Sequence, residues 1–258
     1  HETNYKLSVS VPNRYIYRSF GFTINPRISY SVLNQNYFQQ VYNKLEYVMD
    51  KTIFRHGIEY KLDFNTSQKT STRDINTKWG NTYKFNLKYF FNNTFSIIPD
   101  NSNNYLLSNE IKFFVPGFAK HHGFMIGGGA QYMNVIDYIY EDEIKYPRGY
   151  DKLFDKAAYK NIFKDNDRVK LTLNYFFPIA YPDYIVSHFL YFKRFRANLF
   201  YDYNYGLNLN KEYISTGLEL ITDFHLFRIF SQLSSGVRVS YIPQTNKPRL
   251  EFIIDSEF

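Results

Sequence analysis

Apolar and polar residues alternate at every second position through most of this chain, the signature of strands whose neighbouring side chains point to opposite faces. Between 167 and 177 the odd positions carry Val169, Leu171, Leu173, Tyr175 and Phe177, against Arg168, Lys170, Thr172 and Asn174 on the even ones, with Phe176 out of series. Between 195 and 205 one face holds Phe195, Ala197, Leu199, Tyr201, Tyr203 and Tyr205, and the other Arg196, Asn198, Phe200, Asp202 and Asn204. The last segment sets Leu250, Phe252, Ile254 and Phe258 against Arg249, Glu251, Asp255 and Glu257, with Ile253 the exception. Earlier, Tyr83, Phe85, Leu87, Tyr89 and Phe91 oppose Lys84, Asn86 and Lys88, while Phe54, Ile58, Tyr60, Leu62 and Phe64 oppose Arg55, Glu59, Lys61 and Asp63. Further strands read near 5–11, 14–24, 27–37, 104–115, 122–134, 213–224 and 235–243, about twelve in all. No stripe of period 3.6 competes over a comparable length; only Phe38–Asp50, with Val41, Leu45 and Val48, offers a short helix instead. The pattern predicts an all-β protein.

Two all-β architectures fit, a soluble sandwich and a membrane barrel. Strands of soluble sheets average about five or six residues. The alternating runs here are about ten to twelve residues, the length a tilted strand needs to cross a bilayer. Tyr and Phe gather at strand ends (Tyr201, Tyr203 and Tyr205; Phe176 and Phe177; Phe90 and Phe91), as aromatic girdles at two membrane interfaces would. Length and girdles favour a transmembrane antiparallel β-barrel over the sandwich.

Composition agrees with a strand-built membrane protein. Of 258 residues, 26 are Tyr and 26 are Phe, with a single Trp. Mean hydropathy is −0.44, and no stretch supplies the roughly 18 consecutive apolar residues of a membrane helix. With 44% hydrophobic residues the chain is not a disordered one. The absence of cysteine excludes disulfide scaffolds, thiol catalysis and thiolate metal sites. The net charge of +7 raises nucleic acid as a partner, but no basic run exceeds Lys193 and Arg194, so none is expected. The first residue is His1 rather than Met, which reads as a mature product or a piece of a longer chain.

The connections differ in information. Asn134–Asn166 is too long for a passive hairpin and is a candidate functional loop, while Asn65–Asn81 reads as solvated loop. Pro178–Lys193 has two prolines and reads as a segment folded under the barrel. The six His are scattered; His121 and His122, as strand neighbours, would point apart and leave no metal site. Gly127, Gly128 and Gly129 precede no helix pattern, so they read as room for a close-packed loop rather than as a phosphate cradle. Ser187 and His188 are too poorly placed for a lipase pair. No catalytic residue, cofactor or enzyme activity is expected.

One ordered set of motifs is more specific. The long loop contains Tyr146-Pro147-Arg148-Gly149-Tyr150. It is followed by Leu173-Asn174-Tyr175-Phe176-Phe177-Pro178-Ile179, then Asn198-Leu199-Phe200-Tyr201-Asp202-Tyr203-Asn204-Tyr205-Gly206, then Ser215-Thr216-Gly217-Leu218-Glu219-Leu220. Ser235-Gly236-Val237-Arg238-Val239-Ser240-Tyr241 and the terminal strand ending in Phe258 complete it. From Gly123 to Phe258 this order resembles the C-terminal half of the BamA/TamA-type superfamily of outer-membrane insertases and translocases, the bacterial surface antigen family. The stretches Tyr191–Tyr203 and Ser215–Leu220 look closest to a subgroup in which the barrel follows a TolB-like β-propeller.

The resemblance implies a bacterial outer-membrane barrel of about sixteen strands, of which this chain would be the C-terminal portion. It implies that the extracellular loop 134–166 folds into the lumen with an Arg-Gly-aromatic tip. An arginine tucked into a lumen needs an anion, because an unpaired buried charge is costly, and a planar guanidinium suits bidentate pairing with a carboxylate. Asp202 lies on the polar face by alternation and matches the family's acidic position on that strand, so Arg148–Asp202 is the expected pair. Gly149 would let the backbone approach the wall and Tyr150 would pack against it. The family's acidic residue on the preceding strand is Asn174 here, and Glu219 is the candidate substitute; the alternative is an ordinary surface Pro-Arg-Gly turn. Phe252, Ile254 and the terminal Phe258 are similar to the signal by which such barrels are recognised for insertion.

The function implied is protein translocation or outer-membrane protein assembly. The expected partners are membrane lipid, lipopolysaccharide, and periplasmic or lipoprotein subunits of a larger complex. A passive pore, and a membrane anchor for a periplasmic partner-binding domain, are the other readings.

Overall fold

The computed structural model describes residues 2–40, 47–71, 73–91, 104–134, 143–150, 165, 167–186, 189–226 and 232–257. The chain is all-β. Strands β1 (Glu2–Ser10), β2 (Asn13–Tyr17), β3 (Phe20–Gln40), β4 (Tyr47–Gln68), β5 (Gly80–Phe90), β6 (Asn104–Pro116) and β7 (Gly123–Met133) precede the long connection. After it come β8 (Arg168–Ala180), β9 (Tyr184–Val186), β10 (Leu190–Gly206), β11 (Lys211–Leu226), β12 (Gln232–Ile242) and β13 (Lys247–Glu257). They form one 13-stranded antiparallel sheet in the order β1-β3-β4-β5-β6-β7-β8-β10-β11-β12-β13, with the short β2 paired to β3 and the short β9 paired to β10 off this path.

Local chemistry sets the corners. Asn210 and Asn246 take left-handed backbone angles (φ 51° and 49°) in the tight turns that close β10 on β11 and β12 on β13, a conformation asparagine tolerates well. Arg18 does the same (φ 54°) between β2 and β3.

Four expectations about elements need correcting. Instead of separate strands at 14–24 and 27–37, the chain turns at Arg18 and then runs as one 21-residue strand through Pro26. Pro26 is tolerated because its missing N–H faces the break between β1 and β2, where only Val11 N–H donates to its carbonyl at 3.2 Å. The helix offered at 38–50 does not form: Phe38–Gln40 and Tyr47–Asp50 are strand, and 41–46 lie outside the described residues. Asn65–Asn81 is strand through Gln68 and again from Gly80, and Pro178–Lys193 contains the end of β8 and all of β9.

Burial is the reverse of a soluble domain. Large apolar side chains are exposed along one face: Leu199 48%, Val239 45%, Leu250 71% and Ile254 73%. Glu59, Asn86, Gln131, Arg168, Asn198, Asp202, Glu219, Asp223 and Ser240 are buried on the other. The rule that polar groups stay outside is therefore inverted across most of the sheet. No second sheet lies on the apolar face among the described residues, so the stacked layers of a sandwich are missing.

Candidate functional site

Residues 143–150 lie across the polar face of β7 and of β10 to β13. They begin on β7, where Gln131 Oε1 accepts from the backbone N–H groups of Glu143 (2.9 Å) and Ile144 (3.0 Å). A Cβ on Gly129 would come within 2.9 Å of Ile144 Cδ1, so the bare strand there admits the loop. Asn204 Nδ2 on β10 then donates to Lys145 O at 3.2 Å, and Pro147 is fully buried.

Arg148 is the centre of the site. Its Nε and Nη2 donate to Oδ2 and Oδ1 of Asp202 at 2.7 and 2.9 Å, the bidentate fork geometry, and its backbone N–H reaches Oδ2 at 3.2 Å. Nη1 lies 3.3 Å from Glu219 Oε1 on β11, and Nη2 donates to Asn174 Oδ1 on β8 at 2.8 Å. The guanidinium carbon sits 3.8 Å above the Phe200 ring, within cation–π range. Three strands thus converge on one side chain.

The acceptors are themselves held. Asn198 Nδ2 bridges Asn174 Oδ1 (3.0 Å) and Glu219 Oε2 (2.8 Å). Arg238 on β12 donates to Glu219 Oε1 at 2.7 Å and to Glu251 on β13 at 3.1 Å. A cavity of about 490 Å3 opens beside Arg148, with Lys112, Lys170 and Thr172 in its wall.

Gly149 and Tyr150 fasten the loop beyond the arginine. Gly149 has φ +87°, and a Cβ there would stand 2.7 Å from Ser240 Oγ. Its carbonyl accepts from Arg249 Nη1 on β13 at 3.1 Å. Tyr150 is 4% exposed, packs edge-on to Tyr213 at 5.6 Å, and donates to Gln244 Oε1 at 2.6 Å. Replacing Gly149 by Ala is expected to cost about 1–3 kcal/mol, from the left-handed backbone and the contact with Ser240, read in equilibrium urea unfolding.

The structure thus brings together Arg148, Gly149, Tyr150, Asp202 and Glu219. Asn174, expected only as a lost acid, is an acceptor of the same guanidinium. Phe252 is exposed on the apolar face beside Ile254, while Phe258 lies outside the described residues. So do 135–142, 151–164 and 166 of the long loop, and Ser187 and His188. His121 and His122 sit on a turn rather than a strand; His121 faces Asp74 at 2.7 Å and His122 faces the Tyr175 hydroxyl at 2.6 Å. Among the described residues no group of three or more His, Asp or Glu is arranged to hold a metal.

Sequence reasoning missed a second polar cluster at the other end of β10 and β11. There Asp223, fully buried, accepts from Arg194, from Arg196 Nε at 3.1 Å and from Ser234 Oγ at 2.7 Å. Arg194 also donates to Asp74 O at 2.9 Å. Burial opposes ionisation of Asp74, but His121, the Ser71 N–H and Lys78 outweigh it and hold the carboxyl below its ordinary range.

Comparison with known proteins adds nothing to this geometry. No family model and no curated protein matches the chain.

Proposed function

We propose that this sheet is part of the wall of a bacterial outer-membrane β-barrel of the insertase/translocase kind, its apolar face against lipid and its polar face lining the interior. Connection 143–150 is then a plug, pinned inside by Arg148. The observation that carries the reading is the inverted burial of one long sheet, with an arginine from a loop held on its polar face by two carboxylates. In water an exposed face of Leu, Val, Ile, Tyr and Phe of this extent would aggregate, whereas in a bilayer it is the required surface. Strands of this length would span a bilayer even when tilted, since β10 and β11 have 17 and 16 residues. Two open sheet edges cannot face lipid, so β1 and β13 must each find a further strand or each other.

The resemblance of the Tyr146–Tyr150 motif and the strands after it to the insertase superfamily supplies the functional class, protein translocation or outer-membrane protein assembly. The test reconstitutes the full-length protein that carries this chain in phospholipid vesicles and planar bilayers. Stable integration, a near-zero steady current and faster assembly of an added unfolded outer-membrane protein are expected. A large steady current from the unaltered protein overturns the plug in favour of a passive pore. Failure to integrate overturns the membrane reading altogether.

A further inference from the structure

The connection between β4 and β5 does more than close a hairpin. β4 and β5 pair from Gly57↔Phe90 to Ser67↔Gly80, so their ends are already adjacent and a turn of a few residues would join them. The tight turns 207–210 and 243–246 do just that elsewhere in the sheet. Here the chain uses 69–79, of which all but Thr72 are described, and that segment leaves its own strands.

Its contacts trace a path over the polar face. Asp74 Oδ1 meets His121 Nδ1, in the β6–β7 turn, at 2.7 Å. Tyr181 Oη, just past β8, donates to Arg73 O at 2.7 Å, and the Arg73 guanidinium lies 5.7 Å over the Tyr181 ring. Arg194 Nη1 on β10 donates to Asp74 O at 2.9 Å. A segment that starts between β4 and β5 and is bonded to β10 has passed β6, β7 and β8, a distance of roughly 19 Å at about 4.8 Å per strand. The segment is internally braced as well: Ser71 N donates to Asp74 Oδ2 at 2.9 Å, and Thr77 Oγ1 donates to Gln68 O at 3.1 Å. Asp74 is 8% exposed and Arg194 6%, so the anchor is a buried one.

The face it covers is the one that holds Arg148. Arg194 and Asp202 share the inward parity of β10 and are eight positions apart, roughly 26 Å at about 3.3 Å per residue. That separation is close to the thickness of a bilayer's hydrocarbon core, about 30 Å. The polar face therefore carries two connections, 143–150 toward one end of the strands and 69–79 at the other.

We propose that 69–79 is a second plug, a strap anchored on Asp74 that closes the end of the interior opposite the Arg148 loop, so that passage through the barrel requires two separate releases. This rests on the membrane-barrel reading. With both closures in series, opening either one alone leaves the path shut.

The experiment measures planar-bilayer conductance of the full-length protein as the unaltered form, R148A, D74A and R148A/D74A, with heat-modifiable gel migration as the check on folding. Asp74→Ala removes the His121, Lys78 and Ser71 contacts at once. The expected result is a current near baseline for the unaltered protein and both single variants, and at least tenfold more for the double variant. R148A conducting as much as the double variant overturns the strap as a closure, and so does a folded double variant that stays at baseline. Should the double variant not fold, R148A/Y181F decides. That variant loses only the hydroxyl donor to Arg73, and a several-fold rise over R148A supports the strap, whereas no rise overturns it. Failure of the unaltered protein to integrate overturns the membrane reading, and the strap with it.

Discussion

Replacing Arg148 by Ala is expected to destabilise the assembled protein by about 3–5 kcal/mol, because it strips the partner from buried charges rather than removing a surface pair. Asp202 is 2% exposed and Glu219 6%. Without the guanidinium, Asp202 keeps one hydrogen bond from residue 148, that of its backbone N–H at 3.2 Å, and the more distant charge of Lys170. Glu219 fares better, since Arg238 still donates to it at 2.7 Å. The loss therefore falls mainly on Asp202, and Arg148→Ala combined with Asp202→Asn should recover part of it by removing the stranded charge. Arg148→Lys is expected to restore less than half. A single ammonium cannot serve both Asp202 oxygens, Asn174 and Glu219 from one position, nor lie flat on Phe200. Equilibrium urea unfolding in detergent or vesicles, with heat-modifiable migration as a second reading, measures all three. A transition unchanged in Arg148→Ala would mean that the loop's other contacts, among them Tyr150, Gln131, Asn204, Arg249 on the Gly149 carbonyl and Lys88 on Glu143, hold it without the arginine.

How much of this was legible depends on which residues carry it. Parity alone puts Asp202 on the polar face of β10, because Asn198, Phe200, Asp202 and Asn204 share it. Phe200 itself looks like an error in that series. Its position explains it: an aromatic on a polar face, two residues from the acid, is the platform under the guanidinium. The same breach of alternation at Phe176, which lines the cavity beside Arg148, carried the same signal. Asn174 was misleading for a chemical reason, since the comparison was for an acid, while a neutral amide oxygen accepts from arginine equally well in geometry. The strap was not legible at all. Arg194 and Asp74 are 120 residues apart and meet through a backbone carbonyl, which no side-chain pattern records. Period-two reasoning also placed a strand break at Pro26, because it cannot know which neighbour the proline's missing donor would face. Closure is outside its reach for the same reason: whether β1 and β13 meet each other or further strands is a property of edges, not of residues along one strand.

The orientation of the apolar face decides the second large effect. Leu199 is near the middle of β10, 48% exposed, and flanked on the neighbouring strands by Tyr175 and Leu218. If that face meets lipid, Leu199→Arg sets a charge at bilayer mid-depth and should cost about 2–4 kcal/mol of folding stability in vesicles. Leu207→Arg makes the same chemical change in the β10–β11 turn, where the side chain is 53% exposed, and should cost no more than about 1 kcal/mol, because the penalty falls off toward the interface. A face against water predicts no such difference. There both substitutions would stay within about 0.5 kcal/mol, and Leu199→Arg would raise solubility by breaking an apolar stripe. The two exposures are nearly equal, so a difference between the variants cannot come from packing lost in the sheet itself. It reports the medium beyond the side chain, and equal costs at the two positions would remove the physical basis for placing this sheet in a membrane.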